Sequence, residues 1–248
     1  MMIQKYFRDK NRVALAFSGG ADSAFLLSVA KECGCDIRPY YIKTQFQTRH
    51  ETNNARCLAD VIGVPLKILS FDVFSVPNII QNEADRCYHC KYAFFRLIQS
   101  AAAADGCEMI IDGTNASDDV ENRPGMQALS ELGVSSPLRE SGLSKSQIRE
   151  LSQHAGLSTW NKPSNSCLAT RIPTGTPINK ETLRKVERAE TYLFELGFSD
   201  FRVRIFHDVA RIQLLGTQFD RINALRFDVL SYFSQYFDEV FLDLECRN

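Results

Sequence analysis

Val13-Ala-Leu-Ala-Phe-Ser-Gly-Gly-Ala-Asp-Ser23 is the stretch that decides the fold. A short apolar run enters a turn of small residues, and the turn opens onto a helical pattern with Phe25, Leu26, Val29, Ala30 and Cys33 on one face. A buried strand feeding a helix in this way makes an anion site, because the first helical amides lack intrahelical acceptors and the dipole favours negative charge. Gly19 and Gly20 let backbone approach a phosphate closely. Ser18 and Ser23 add hydroxyl donors, and Asp22 can hold a Mg²⁺ riding on phosphates. No Gly-Lys-Ser/Thr follows, so this is not a Walker A loop, and the glycine spacing is not that of a dinucleotide fingerprint. The plainer alternative is an ordinary strand–turn–helix, which needs six residues and their context to coincide.

Working outward, the pattern alternates. Asp36 to Ile42 reads as a second strand, residues 51–62 as a helix closed by Gly63, and Pro65 to Ser70 as a third strand. Residues 71–86 are irregular, 88–104 are helical, and Glu108 to Asp112 is a fourth strand. Strands alternating with helices imply a doubly wound, mostly parallel α/β sheet, whose ligands sit beyond the carboxyl ends of the strands. Asp112-Gly-Thr-Asn-Ala-Ser-Asp-Asp119 follows the fourth strand. Asp112, Thr114 and Asn115 are therefore candidates for nucleotide contact, although Asx and Ser turns explain such a run equally simply. Ser144 to Gln147 forms a capping box for another helix, with Gly156 a candidate C-terminal cap.

Thr159 to Pro177 is rich in proline and turn residues and marks a connection. A strong helix follows over 179–196, then two strands, a helix near 218–236 and a last strand near 239–244. The expected division is residues 1–162 for the nucleotide domain, 163–178 for the connection that carries Cys167, and 179–248 for a smaller C-terminal α+β domain.

The chain has 248 residues, 44% apolar and 24% charged, with a net charge of −1. That balance argues against a nucleic-acid coat or a polybasic membrane surface. No apolar run reaches the length of a membrane span and no secretory leader is visible, so a cytoplasmic location is expected, with no membrane or nucleic-acid partner. Eight cysteines in such a chain are not a disulfide framework. Cys87-Tyr-His-Cys90 opens a helix, where thiols have depressed pKa values and coordinate metals well. A zinc site, an iron–sulfur site and a pair of idle thiols remain open there. Cys167 lies in the connection, and Cys33, Cys35, Cys57, Cys107 and Cys246 read as packing residues.

Phe201-Arg-Val-Arg-Ile-Phe206 alternates, with Phe201, Val203 and Ile205 inward and Arg202 and Arg204 together on the other face. If His207-Asp208 is a hairpin turn, Arg204 opposes Arg211 and Arg202 opposes Gln213. Directly opposed like charges are destabilising, and a bound phosphate or carboxylate would relieve them. Glu190 falls on the apolar stripe Leu183, Val186, Ala189, Leu193 of the preceding helix, so it needs a partner, for which the arginine face is the obvious choice, or an escape to the rim.

Ser-Gly-Gly-x-Asp-Ser after a buried strand resembles the pyrophosphate (PP) loop of the N-type ATP pyrophosphatases. That superfamily cleaves ATP between its α- and β-phosphates, adenylates an acceptor and lets a nucleophile displace AMP. Six stretches narrow the resemblance: Phe17 to Ser23, Asp119-Val-Glu-Asn-Arg-Pro-Gly125, Leu132 to Glu140, Trp160-Asn-Lys-Pro163, Cys167-Leu-Ala-Thr-Arg-Ile-Pro173, and Arg202-Val-Arg204 with Ala210-Arg-Ile212. In this order they are similar to the LarE family of ATP-dependent sulfur transferases, a Rossmann-like PP-loop group that makes the nickel-pincer nucleotide cofactor.

The resemblance implies adenylation of a carboxylate of pyridinium-3,5-biscarboxylic acid mononucleotide and its conversion to a thiocarboxylate. ATP and Mg²⁺ are implied at Ser18, Gly19, Gly20, Asp22 and Ser23, and the substrate at Arg171, Glu190, Arg202, Arg204 and Arg211. Cys167 is the implied catalytic sulfur residue, with Asp22 beside it in the chemistry. One branch of the family gives up the sulfur of the matching cysteine. Another holds a 4Fe–4S cluster on that cysteine and a C-x-x-C pair, and Cys87 and Cys90 place this chain with the second. Family members form homo-oligomers, commonly hexamers. Gln213 departs from the pattern, which usually has Glu there. tRNA thiolation by a related PP-loop enzyme and a non-catalytic nucleotide- or metal-binding regulator stand as alternatives.

Overall fold

The computed structural model describes residues 2–8, 10–119, 124–163 and 166–247. Two compact units emerge: Met1–Ile79 with Asp85–Asn165, and Ile80–Ala84 with Ser166–Asn248. The chain order is α1 (Met2–Arg8), β1 (Arg12–Ala16), α2 (Ala21–Glu32), β2 (Asp36–Lys43), α3 (Arg49–Ile62), β3 (Lys67–Ser70), α4 (Pro77–Ile80), α5 (Arg86–Ala104), β4 (Met109–Ile111), α6 (Pro124–Glu131), α7 (Pro137–Glu140) and α8 (Lys145–His154). Then come α9 (Lys180–Glu195), β5 (Arg202–Phe206), β6 (Val209–Gln213), α10 (Phe219–Ala224), α11 (Arg226–Phe233) and β7 (Glu239–Leu242). Among the described residues no helix is long and apolar enough to cross a membrane.

The first unit holds a four-stranded parallel sheet in the order β3-β2-β1-β4. Successive β1 residues face opposite layers, as a strand buried on both sides requires. Val13 and Leu15 pack with Phe25, Ala55 and Ile148 on one face, while Ala14 packs with Tyr40, Phe95, Ile98 and Ile110 on the other. The doubly wound α/β expectation is met. Because β1 lies between β2 and β4, the strand order reverses beside it, and a crevice opens there at the carboxyl ends. Ser18–Ser23 and Asp112–Asp119 leave the sheet at that point.

The helices follow from local chemistry. Thr48 and Glu51 form a capping box at α3, and Ser144 and Gln147 form one at α8. Gly63 ends α3 in the left-handed region at φ 76°, where a side chain would be strained. α1, α6 and α7 were not legible as elements, since they are short and partly framed by turn residues.

The second unit holds the three-stranded sheet β5-β6-β7, with β5 antiparallel to β6 and β6 parallel to β7. Leu183, Val186, Ala189 and Leu193 of α9 are all buried, as are Val203, Ile205, Ala210 and Ile212 of the sheet. Ile80–Ala84 counts with this unit although no sequence signal announces it. Asn82, fully buried, donates through Nδ2 to Pro173 O at 2.8 Å and Thr176 O at 2.9 Å, and its carbonyl accepts from Gly175 N at 2.9 Å. Ile80 O accepts from Ile178 N at 2.7 Å.

Candidate functional site

In the first unit the loop after β1 is closed on itself. Ser18 Oγ lies 3.2 Å from Ser23 Oγ and accepts from Gly20 N at 3.3 Å, while Ser23 Oγ donates to Gly20 O at 3.2 Å. Gly19 has φ +72°, and a Cβ there would come 2.9 Å from Ala55 Cβ. Only glycine fits the turn, because both the dihedral and the α3 backbone forbid a side chain. Asp22 lies in the first turn of α2. Its Oδ2 is paired with Lys145 Nζ at 2.5 Å. Its Oδ1 is buried and has no hydrogen-bond partner among the described residues. A carboxylate oxygen left without a donor at a helix N-terminus suits a cation that arrives with an anion. Asp22 therefore fits the Mg²⁺ expected there.

Two lysines reach this loop that the sequence reading did not assign. Lys145, at the start of α8, pairs with Asp22, and Lys162 Nζ donates to Gly19 O at 3.0 Å. Arg149, one turn along α8, donates to Lys162 O at 3.2 Å. Burial pushes the Lys162 ammonium below its ordinary pKa, with the Glu51 charge a smaller opposing influence. Cations converging on a turn of unfilled amides supply the charge that a triphosphate needs. The Trp160-Asn-Lys-Pro163 stretch carried that signal, and so did Lys145 at the first position after a capping serine.

The loop after β4 is braced internally. Asp112 Oδ1 accepts from Thr114 N at 3.2 Å and Ser136 Oγ at 2.7 Å, and Oδ2 accepts from Thr114 Oγ1 at 2.5 Å. Asn115 N donates to Asp118 Oδ2 at 3.0 Å, and Asn115 Oδ1 accepts from Ser117 N at 2.9 Å. All three candidates are buried. A Cβ on Gly113 would come 3.2 Å from Ser23 N, so this braced loop lies directly against the β1 loop. The structure brings the two loops together and gives Asp112 a structural partner set.

Cys87 and Cys90 lie in the first turn and a half of α5, three residues apart on one side, exposed and half-buried respectively. All eight cysteines are thiols. Cys57 and Cys246 are exposed, which corrects the reading of them as packing residues; Cys57 sits on the polar side of α3. Among the described residues, no group of three or more His, Cys, Asp and Glu is arranged to hold a metal ion. The Asp119–Gly125 stretch lies largely outside the described residues.

In the second unit Cys167 precedes a 3₁₀ turn over Leu168–Arg171. Thr170 donates to Cys167 O from N at 3.0 Å and from Oγ1 at 2.8 Å. Arg171 grips both ends of this turn, through Nη1 to Ser166 Oγ at 2.7 Å and Thr170 Oγ1 at 2.8 Å. Its Nε and Nη2 form a fork onto Glu190 at 2.6 and 3.2 Å. Glu190 Oε1 also accepts from Val203 N at 3.0 Å. The partner that Glu190 requires on its apolar stripe is thus Arg171, and both side chains are buried, 5% and 12% exposed.

The hairpin places Arg204 opposite Arg211 and Arg202 opposite Gln213, as the register argument requires. Asp243 relieves the conflict from the end of β7: it lies 3.3 Å from Arg211 Nε and accepts from Gln213 Nε2 at 2.7 Å. Gln213 Oε1 in turn accepts from Arg204 Nε at 2.6 Å. Arg202 is buried, with Asp200 3.7 Å away. Burial first, then the Arg171 and Arg247 charges, push its pKa down to about 10. A guanidinium held this way gains strongly from an anion.

Comparison with known proteins fits this geometry. Residues 9–193 match the family model described as Thiamine biosynthesis protein (ThiI). The chain is 35% identical over 209 residues to the pyridinium-3,5-bisthiocarboxylic acid mononucleotide synthase of Lactiplantibacillus plantarum, covering 84% of this chain and 76% of that protein. An uncharacterised protein of Synechocystis is 36% identical over 213 residues, covering 86% of this chain and 80% of its own. An uncharacterised protein of Methanocaldococcus jannaschii is 30% identical over 247 residues, covering 98% and 93%. With these matches, the chain belongs to the LarE family of ATP-dependent sulfur transferases among the PP-loop ATP pyrophosphatases.

Proposed function

We propose that this chain uses ATP to activate a carboxylate of pyridinium-3,5-biscarboxylic acid mononucleotide and inserts sulfur to give the thiocarboxylate, a step in making the nickel-pincer nucleotide. The observation that carries this reading is the joint presence of a PP-loop with an orphaned Asp22 oxygen and a cysteine mounted beside an arginine sheet face.

Ser18, Gly19, Gly20 and Ser23 hold the β,γ-phosphates, Asp22 would hold a Mg²⁺ that supplies charge to them, and the Asp112–Asn115 loop shapes the nucleotide side. Lys145 and Lys162 neutralise charge that develops on pyrophosphate as it leaves. Arg202, Arg204 and Arg211 receive the phosphate and carboxylates of the substrate. Arg171 and Glu190 serve the same region by holding the Cys167 turn. Once the carboxylate oxygen bonds to the α-phosphorus and pyrophosphate departs, a sulfur nucleophile attacks the acyl carbon and AMP leaves with the oxygen. Cys87, Cys90 and Cys167 would be the thiolates that hold a 4Fe–4S cluster, which would supply the sulfur. A homo-oligomer, a hexamer as in other members of this family, and a cytoplasmic setting belong to the same proposal.

Two measurements test it. Pyrophosphate release from ATP should depend on the biscarboxylate mononucleotide; release that ignores this substrate sinks the proposed substrate. Anaerobic purification with iron, sulfide and absorbance analysis should show a cluster that Cys87→Ala and Cys167→Ala each remove. An iron-free, colourless protein after anaerobic reconstitution, with Cys167 converted to dehydroalanine on turnover, would instead assign the sulfur to Cys167 itself.

A further inference from the structure

The second unit contains a hydrogen-bonded line that runs from its last strand to the cysteine turn. Asp243 accepts from Gln213 Nε2 at 2.7 Å, Gln213 Oε1 accepts from Arg204 Nε at 2.6 Å, and Arg204 Nη1 donates to Thr170 O at 2.8 Å. Thr170 closes the line by donating to Cys167 O. Every link is short, and Arg204 is its hub, donating toward Gln213 on one side and toward Thr170 on the other. Charge-assisted bonds of this kind polarise their neighbours and fix geometry more tightly than isolated pairs do.

We infer that Asp243 and Gln213 are positioning residues that set the orientation of Arg204 and, through Thr170, of the Cys167 turn. The chemistry of position 213 carries the argument. A residue between a guanidinium and a carboxylate has to accept on one side and donate on the other. An amide does both, whereas a carboxylate can only accept. With Asp243 in place, a Glu at 213 sets two carboxylates side by side at hydrogen-bond distance, and the line breaks. Gln213 and Asp243 are therefore a matched pair, and the negative charge that balances Arg204 and Arg211 resides on β7's end rather than on β6. The Gln213 amide, foremost among its neighbours, holds the Asp243 carboxyl below the ordinary carboxylate range, which keeps it an acceptor.

This inference rests on the proposed role of Cys167 only for its effect on turnover. Its test reads Cys167 directly. The rate of Cys167 alkylation by iodoacetamide is followed in the full chain by site-resolved mass spectrometry, with exposed Cys57 of the other unit as the internal control. Gln213→Glu should change the Cys167 rate by roughly tenfold, the equivalent of one charge-assisted hydrogen bond, whereas Asp243→Asn, whose amide oxygen still accepts from Gln213 Nε2, should change it by less; both should leave Cys57 unchanged. The double variant Gln213→Glu/Asp243→Asn reverses the donor and acceptor and should return the rate to within about twofold of the parent. Equal Cys167 rates in the parent and Gln213→Glu overturn the inference, as does a double variant no better than Gln213→Glu. If the alkylation pattern and its rescue hold while kcat for sulfur transfer does not move, the positioning line stands and the proposed role of Cys167 in turnover fails.

Discussion

Around Ser18–Ser23 the polar groups are backbone amides, two hydroxyls and one carboxylate suited to a cation, and two lysines reach in on long flexible stems. Around Cys167 the charged groups are arginines whose planar forks are locked by Glu190, Gln213 and Asp243. The difference matches the task proposed for each. A triphosphate is the same in every ATP, so amides and point charges at a helix N-terminus suffice. Planar carboxylates on a ring demand directional recognition, and guanidinium forks provide it only when their own rotamers are fixed.

Five changes probe that contrast, starting with the largest effect. Glu190→Gln leaves Arg171 buried without its counter-charge and should lower the unfolding free energy by about 3–5 kcal/mol in chemical denaturation. The corresponding cut in the first unit, Lys145→Met, removes a pair that is 29% and 22% exposed and should cost about 1 kcal/mol or less. Equal losses from the two would erase the distinction between a rigid and an adaptable region. Asp22→Asn should leave the melting curve nearly unchanged but slow pyrophosphate release by about 10²–10³-fold, since it removes the carboxylate proposed to hold Mg²⁺ on the reacting phosphates. A slowing smaller than about tenfold would remove Asp22 from the metal role.

Lys162 gives a pH signature. Burial holds its folded-state pKa below the ordinary 10.5, so in the window just under 10.5 the unfolded chain keeps a proton that the folded chain has lost. Stability from this site therefore rises as pH climbs through the folded pKa. Lys162→Met should remove that rise, which melts of both proteins across alkaline pH would reveal as a converging difference; parallel curves would contradict it. The smallest change is Ser144→Ala, which removes the cap of the helix that carries Lys145 and should cost about 1 kcal/mol in a thermal melt.

The same contrast explains what could be read from the chain alone. The sheet, the β1 loop and the Arg204–Arg211 opposition follow from periodicities of two and 3.6 and from one contiguous motif. Lys145, Lys162 and Asp243 were missed because each acts through a contact 20 or more residues away from the motif it serves, and a lone charged residue carries no period. Glu190 was noticed for its place on an apolar stripe, and Arg171 entered only with the Cys167–Pro173 stretch that carries the family resemblance. That they would find each other, rather than the sheet arginines, depends on where the 3₁₀ turn lays its side chains. The braced state of Asp112 was equally invisible, because Ser136 lies beyond a segment with no regular pattern.

The Ile80–Ala84 excursion has a consequence for dissecting the molecule. The backbone passes from one unit to the other three times, after residues 79, 84 and 165, so the C-terminal unit is not a contiguous piece of sequence. A fragment beginning at Ser166 lacks Asn82 and Ile80, and the backbone groups of Pro173, Gly175, Thr176 and Ile178 that they satisfy become unpaired. Split versions of this protein should therefore be cut within the 163–166 stretch without removing anything. The two halves are then expected to reassociate through the 80–84 peptide as a built-in tether, a behaviour that co-expression and co-purification of residues 1–165 and 166–248 would display directly.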